Sequence, residues 1–173
     1  MLSSRFLSKR MMVLGHRGSP QLYPENTLPS FQAARDAGAD GIELDIRLSR
    51  DREVMVFHDA GLFRMTGKHG ALSRKNADEL QRLNVLGHPI RIPTLEEVFE
   101  RFRKKITYYI EFKAENLTAI QGHDLARLTL ELVNKYDLVE NVIFVSFDAW
   151  VVKWIKEQGS QFQTGLNFSH AKV

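Results

Sequence analysis

Eight residues carry most of the chemistry that this 173-residue sequence offers: His16, Arg17, Glu43, Asp45, His58, Asp59, Glu111 and Lys113. Glu43 and Asp45 stand two apart in "GIELDIRLS", and Glu111 and Lys113 repeat that spacing in "YYIEFK". On a strand, residues two apart point to the same side. Three carboxylates facing one cavity repel unless a proton or a cation intervenes. Oxygen-only ligands favour a hard divalent ion, Mg2+ or Ca2+, over zinc. Arg17 and Lys113 add fixed positive charge beside such an ion, a combination that suits a phosphate. Histidine titrates near neutrality, so of His16 and His58 one can accept a proton while the other donates one. Together these groups describe metal-assisted, general acid–base cleavage of a phosphate ester.

The elements that must position them alternate. "MMVLGH", "GIELDIRLS", "EVMVFHD", "ITYYIEFK", "NVIFVSF" and "FQTGLNF" read as six strands, the second and third joined by a tight turn around "SRDRE". "TLPSFQAARDAG", "GHDLARLTLELVNKYD" and "DAWVVKWIKEQG" read as helices, the first capped by Asn26 or Thr27 and stopped by Gly38. Strands alternating with helices imply parallel pairing, in a (β/α) barrel or an open doubly wound sheet. The candidate residues stand at or near strand C-terminal ends, which converge on one face in such folds. Residues 60–105 break the alternation with "SRKNADELQRLN" and "IPTLEEVFERFRKK". They read as a cap insertion between strands 3 and 4, over one mouth of the sheet, and the helix leading into the fourth strand.

Composition bounds the rest. A hydrophobic content of 43% and a charged content of 26% fit one globular domain over residues 1–173. The absence of cysteine excludes disulfides, thiolate metal sites and a Cys nucleophile, and fits a cytoplasmic setting. The net charge of +3 mildly favours a small anionic substrate, and no basic block marks a nucleic-acid track. No apolar run is long enough for stable membrane insertion. The acid-free opening "MLSSRFLSKRMM" reads as a ragged start ahead of strand one rather than a transit peptide.

The run "GHRGSPQLYPENTLPSFQAARDAGADGIELDIRLSRDREVMVFHD", continued by "FRMTGKHG", "IPTLEEV", "YYIEFK" and "VSFD", closely resembles the glycerophosphodiester phosphodiesterase family along nearly the whole chain. The resemblance implies a TIM-barrel enzyme, related to phosphatidylinositol-specific phospholipase C. It would cut glycerophosphodiesters into sn-glycerol 3-phosphate and an alcohol with a divalent cation. It implies His16 and His58 as the acid–base pair, Arg17 and Lys113 as phosphate ligands, and Glu43, Asp45 and Glu111 as metal ligands. It also implies attack by the glycerol's own hydroxyl, through a cyclic phosphate that water opens, and a cap over the glycerol end of the site. The alternatives are a lysophospholipase D on the same scaffold and a truncated, inactive binding module.

A (β/α)8 barrel usually needs about 250 residues. With about six strands legible, the chain is expected to be a fragment of a longer product, rather than a truncated form that closes its edges by association; oligomerisation is left open. Several residues carry two readings. Asn26 is either a helix cap or a substrate contact, and is carried with Arg17 and Lys113 among the substrate-binding candidates. Glu25 either favours the helix N-terminus, pairs with Arg17 or joins the site. Lys113 either binds phosphate or neutralises Glu111. Asp59 is expected to orient His58 or to cap the following turn rather than to bind metal, and Ser146 to donate a supporting hydrogen bond. Trp150 and Trp154, four apart on a helix, are expected in the core. Phe63, Phe99 and Phe102 are expected to pack ordinarily rather than to line the cap for a lipid. His69, His88, His123 and His170 are assigned no function.

Overall fold

The computed structural model of the chain describes residues 11–114 and 117–168, so His170 and most of the opening stretch lie outside the described residues. Six strands form one sheet: β1 (Leu14–His16), β2 (Gly41–Leu48), β3 (Val54–Val56), β4 (Thr107–Phe112), β5 (Val142–Ser146) and β6 (Gln163–Leu166). The order is β1-β2-β4-β5-β6 with every neighbour parallel, an arc of a (β/α) barrel.

β3 departs from the parallel expectation. It runs antiparallel to β2, pairing Ile46 with Val56 and Leu48 with Val54. The connection is physically too short for anything else, since a parallel crossover needs a dozen or more residues. The turn closes where the Ser49 N–H donates to the Glu53 carbonyl at 3.0 Å and Arg52 takes a φ of 68°. β3 therefore travels back along β2, and the Phe57 N–H donates to the Asp45 carbonyl at 2.9 Å. His58 therefore stands two residues beyond an antiparallel strand, not at the C-terminal end of a parallel one.

β2 is buried on both faces by two chemistries. Ile42, Leu44 and Ile46 are fully buried under the helices, whereas Glu43, Asp45 and Arg47 face the other way. The outer layer comprises α1 (Leu28–Asp36), α4 (Leu95–Phe102), α5 (Ala119–Lys135) and α6 (Ala149–Gln158). Thr27, not Asn26, caps α1, accepting from the Ser30 N–H, and Gly38 follows its end at a φ of 88°. α5 buries Gly122, Leu125, Ala126, Thr129, Leu130 and Val133, a stripe at helical spacing against the sheet.

Of residues 60–105, the first part builds a separate small core. α2 (Phe63–Thr66) and α3 (Ala77–Gln81) contribute Met65, Ala77 and Leu80 to a cluster with Met55, Phe57, Leu62, Leu72, Val85 and Ile92. α4 belongs to the main core instead, through Leu95, Val98, Phe99 and Phe102. Phe99 and Phe102 are thus ordinary packing, while Phe63 is exposed and stacks on His69 at 4.7 Å. Trp150 corrects the core expectation: it is 75% exposed, because the face of α6 turned to the sheet is that of Val151 and Ile155. Trp154 is partly buried, with the His123 ring 4.1 Å away. No helix among the described residues is long and apolar enough to cross a membrane.

Candidate active site

β1 is only three residues long, but its register sets His16 beside Glu43. The chain then turns sharply. Arg17 takes a φ of 56°, and its N–H donates to both the Glu43 carbonyl (3.1 Å) and Glu43 Oε2 (2.9 Å). Gly18 follows at a φ of 89°, where a Cβ would lie 2.4 Å from Ser30 Oγ on α1. That contact needs glycine twice over, for its conformation and for its missing side chain. Asn26, also left-handed at 56°, is buried and clasps Asp45 from both sides. Its Nδ2 donates to Asp45 Oδ2 at 2.8 Å, and its Oδ1 accepts from the Asp45 N–H at 3.2 Å.

Glu43, Asp45 and Glu111 each offer an oxygen, all within 4.8 Å of one another. The β2–β4 register makes this possible by pairing Asp45 with Glu111 directly. Burial, together with the charges of Asp45 and Glu111, pushes the Glu43 carboxyl up to about 8 despite the opposing hydrogen bond from Arg17. The neighbouring Tyr109, paired with Glu43, is pushed up by burial and by the charges of Glu43 and Glu111. Lys113 is buried between Glu111, to which it donates, and Asp45 Oδ1 at 3.2 Å. Burial opposes its charge, but the hydrogen bond to Glu111 and the charge of Asp45 win and hold the ammonium above its usual range. Asp45 Oδ1 is buried without an aligned hydrogen bond. A hard cation fits this donor set: three carboxylates with oxygens within 4.8 Å of one another, one of which, Asp45 Oδ1, meets Lys113 as an ion pair but takes no aligned hydrogen bond.

The histidines differ in setting. His16 is 72% exposed, with Nε2 3.8 Å from Glu43 Oε2. His58 is held more firmly: its Nδ1 lies 2.6 Å from Asp59 Oδ1, and Arg47 Nε donates to its carbonyl at 2.7 Å. Asp59 is held in turn by Arg64 of α2, through Nε–Oδ2 at 2.6 Å and Nη2–Oδ1 at 2.9 Å. The same guanidinium binds Glu25 at 2.7 and 3.2 Å, and Glu25 accepts from Arg17 Nη1 at 3.1 Å. Arg17 Nε closes the chain 3.2 Å from Asp45 Oδ2. Hydrogen bonds from Arg64 depress the Asp59 carboxyl to about 2, with His58 adding to the effect. Glu25 is lowered too, since Arg64 and Arg17 together outweigh its burial.

All eight residues that open the sequence reading, with Asn26 and Glu25, thus come together at one end of the sheet. Ser146 stands one step away, donating to the Phe112 carbonyl at 3.0 Å. Arg47, Arg64, Tyr109 and Asn167 were not anticipated. Arg47 and Tyr109 had a signal in their alternation, being two residues from Asp45 and Glu111 respectively. Arg64 and Asn167, whose Nδ2 donates to Glu111 Oε2 at 3.3 Å, had none, because loop geometry brings them in.

The family model described as the glycerophosphoryl diester phosphodiesterase family matches residues 16–172. A glycerophosphodiester phosphodiesterase of Caldanaerobacter subterraneus is 32% identical over 164 residues, covering 91% of this chain and 66% of the relative. A lysophospholipase D of Rattus norvegicus is 37% identical over 144 residues, covering 76% of this chain and 43% of the relative. An Oleispira antarctica phosphodiesterase, solved in complex with the product sn-glycerol-3-phosphate, superposes with a TM-score of 0.83 at 27% identity, covering 92% of this chain and 66% of that one. The chain thus spans about two thirds of the Caldanaerobacter and Oleispira proteins and under half of the rat one. A family model that covers nearly every residue, on a sheet that gathers the matching side chains at one mouth, has one consequence: the chain belongs to the glycerophosphoryl diester phosphodiesterase family.

Proposed function

We propose that this chain is a phosphodiesterase domain that hydrolyses glycerophosphodiesters to sn-glycerol 3-phosphate and an alcohol. The observation that carries this reading is the convergence of Glu43, Asp45 and Glu111 within 4.8 Å, flanked by Lys113 and Arg17. Mg2+ or Ca2+ would be held by those three carboxylates, and when bound it would polarise a phosphoryl oxygen. Arg17 and Lys113 face the same space and bind non-bridging phosphate oxygens, neutralising charge as it builds up. His58, with Nδ1 on Asp59, keeps Nε2 for proton transfer. His16, largely exposed at the mouth, is the second proton carrier. One imidazole takes the proton of the attacking hydroxyl and the other protonates the departing alkoxide. Asn26 we read as acting through Asp45 rather than by touching substrate, because both ends of its amide are already engaged there.

Residues 1–173 act in this reading as one domain, in the cytoplasm, on a small molecule rather than a nucleic acid. Lysophospholipids are the second substrate reading, favoured by the similarity to the rat lysophospholipase D and by the exposed Phe63 on the cap. The test is release of glycerol 3-phosphate from glycerophosphocholine with Mg2+ or Ca2+, run beside lysophosphatidylcholine. EDTA should abolish release, and His16→Ala or His58→Ala should each cost roughly 10²–10⁴-fold. Release that survives EDTA or either substitution overturns the mechanism. A bound ion without turnover would instead mark a binding module, and preference for the acylated substrate a lysophospholipase D.

A further inference from the structure

Arg64 is the joint of the site, although its hydrogen bonds run to Asp59 and Glu25 and not to the carboxylate trio or a histidine ring. It sits on α2 in the cap, 47% exposed in its side chain, and its fork engages two carboxylates from two other loops. Asp59 ends the β3 arm, and Glu25 belongs to the loop after β1. Each carboxylate has a second duty: Asp59 Oδ1 meets His58 Nδ1 at 2.6 Å, and Glu25 Oε1 meets Arg17 Nη1 at 3.1 Å. The bonds from Arg64 run to Oδ1 and Oδ2 of one partner and to Oε1 and Oε2 of the other. A guanidinium can do this because its donors lie in a fixed plane; an ammonium on a flexible stem cannot fork in that way.

We propose that Arg64 is a positioning residue that ties the cap to both halves of the site, setting the His58 imidazole through Asp59 and the Arg17 guanidinium through Glu25. The proposal rests on the phosphodiesterase reading above. The α2 helix is anchored by Met65, buried in the small core of the cap, so seating that core places Arg64. The catalytic geometry is then complete only when the cap is seated. The depressed Asp59 and Glu25 carboxyls accord with a cation shared between them.

The experiment compares wild type, Arg64→Gln, Arg64→Lys and Asp59→Asn in turnover of glycerophosphocholine with Mg2+. It also follows, by NMR at one fixed pH, the proton held between His58 Nδ1 and Asp59. Residues that orient a catalytic or ligating histidine typically matter by about 10–100-fold. Arg64→Gln should therefore lower kcat by roughly that factor, with Mg2+ binding by calorimetry unchanged. The resonance of the Nδ1 proton should broaden in Arg64→Gln, because Asp59 is no longer clamped, and should change in Asp59→Asn, which removes the carboxylate altogether. Arg64→Lys should fail to restore kcat. Wild-type kcat in Arg64→Gln, full rescue by lysine, or an unaltered Nδ1 proton in Arg64→Gln would each overturn the proposal. Unchanged amide resonances of β2 and β4 separate lost positioning from a fold that has simply loosened. An inactive wild type would sink the phosphodiesterase reading, while an altered Nδ1 proton in Arg64→Gln would still support the hold of Arg64 on that ring.

Discussion

At the scale of single residues, the site is organised by buried polar groups that satisfy one another. Asn26 is the clearest case. Replacing it with Ala would strip Asp45 of two hydrogen bonds and force a side chain that disfavours left-handed backbone into a φ of 56°. An unpartnered buried polar group costs about 1–3 kcal/mol, and the backbone adds about 1 kcal/mol. Asn26→Ala should therefore lose about 2–4 kcal/mol in urea unfolding and bind Mg2+ about 10–100-fold more weakly by calorimetry. Asp59 supplies a pH signature. Its carboxyl falls from 3.8 to about 2 on folding, so its ionised form contributes stability above pH 3.8 that is lost as pH drops through about 2. The stability advantage of wild type over Asp59→Asn should shrink across that window in urea titrations; an advantage flat with pH would contradict it. The sequence made Glu43, Asp45, Glu111 and Lys113 legible because strand alternation fixes which side each faces. It did not reveal that Asn26 spends its amide on Asp45, because the choice between Asn26 and Thr27 as cap depends on loop torsions that no spacing encodes.

At the scale of elements, the β2–β3 hairpin and the cap decide how His58 enters. The strand pattern of "EVMVFHD" is legible, and so is the tight turn before it, whereas the alternation of strands and helices along the rest of the chain points to parallel pairing and so to the wrong direction for this one strand. A five-residue connection dictates an antiparallel return, and that return is what brings Phe57 onto the Asp45 carbonyl. The helices were more legible: α1, α4 and α6 fall within the stretches their apolar spacing marks, since a buried stripe must repeat at the helical period, while α5 starts three residues ahead of its stretch, at Ala119, where Thr118 caps it. Trp150 escaped that logic because four-residue spacing to Trp154 names a stripe without saying which stripe meets the sheet. The cap, with its own small core, invites a separate test. Leu80 is fully buried there, and Leu80→Ala should cost about 2–5 kcal/mol of local stability. Hydrogen exchange should quicken first in residues 60–92, with protection of β2 and β4 retained. Uniform quickening across the sheet would show that cap and sheet unfold as one unit.

At the scale of the whole molecule, the sheet is an arc whose two outer strands, among the described residues, pair on one side only. Full closure is how barrels dispose of such edges, and an exposed parallel edge invites another chain. On the β6 side, Leu166 is 52% and Phe168 80% exposed. A polypeptide of these 173 residues should therefore associate through β6, and sedimentation velocity should find species heavier than the 19.9 kDa monomer. Leu166→Lys, which places a charge on that edge, should return the mass toward the monomer; a monodisperse monomer without the substitution would refute the edge argument. The position of the site makes a second outcome follow. Glu43, Asp45, Glu111 and Lys113 lie on or just beyond β2 and β4, strands paired on both sides, and among the described residues the end of β6 reaches the trio through the hydrogen bond from Asn167, the residue after it, to Glu111. Mg2+ affinity should accordingly be the same in Leu166→Lys as in the associated parent. If the affinity falls as the assembly dissolves, the carboxylate cluster depends on a neighbour lying against β6 rather than on β2 and β4 alone.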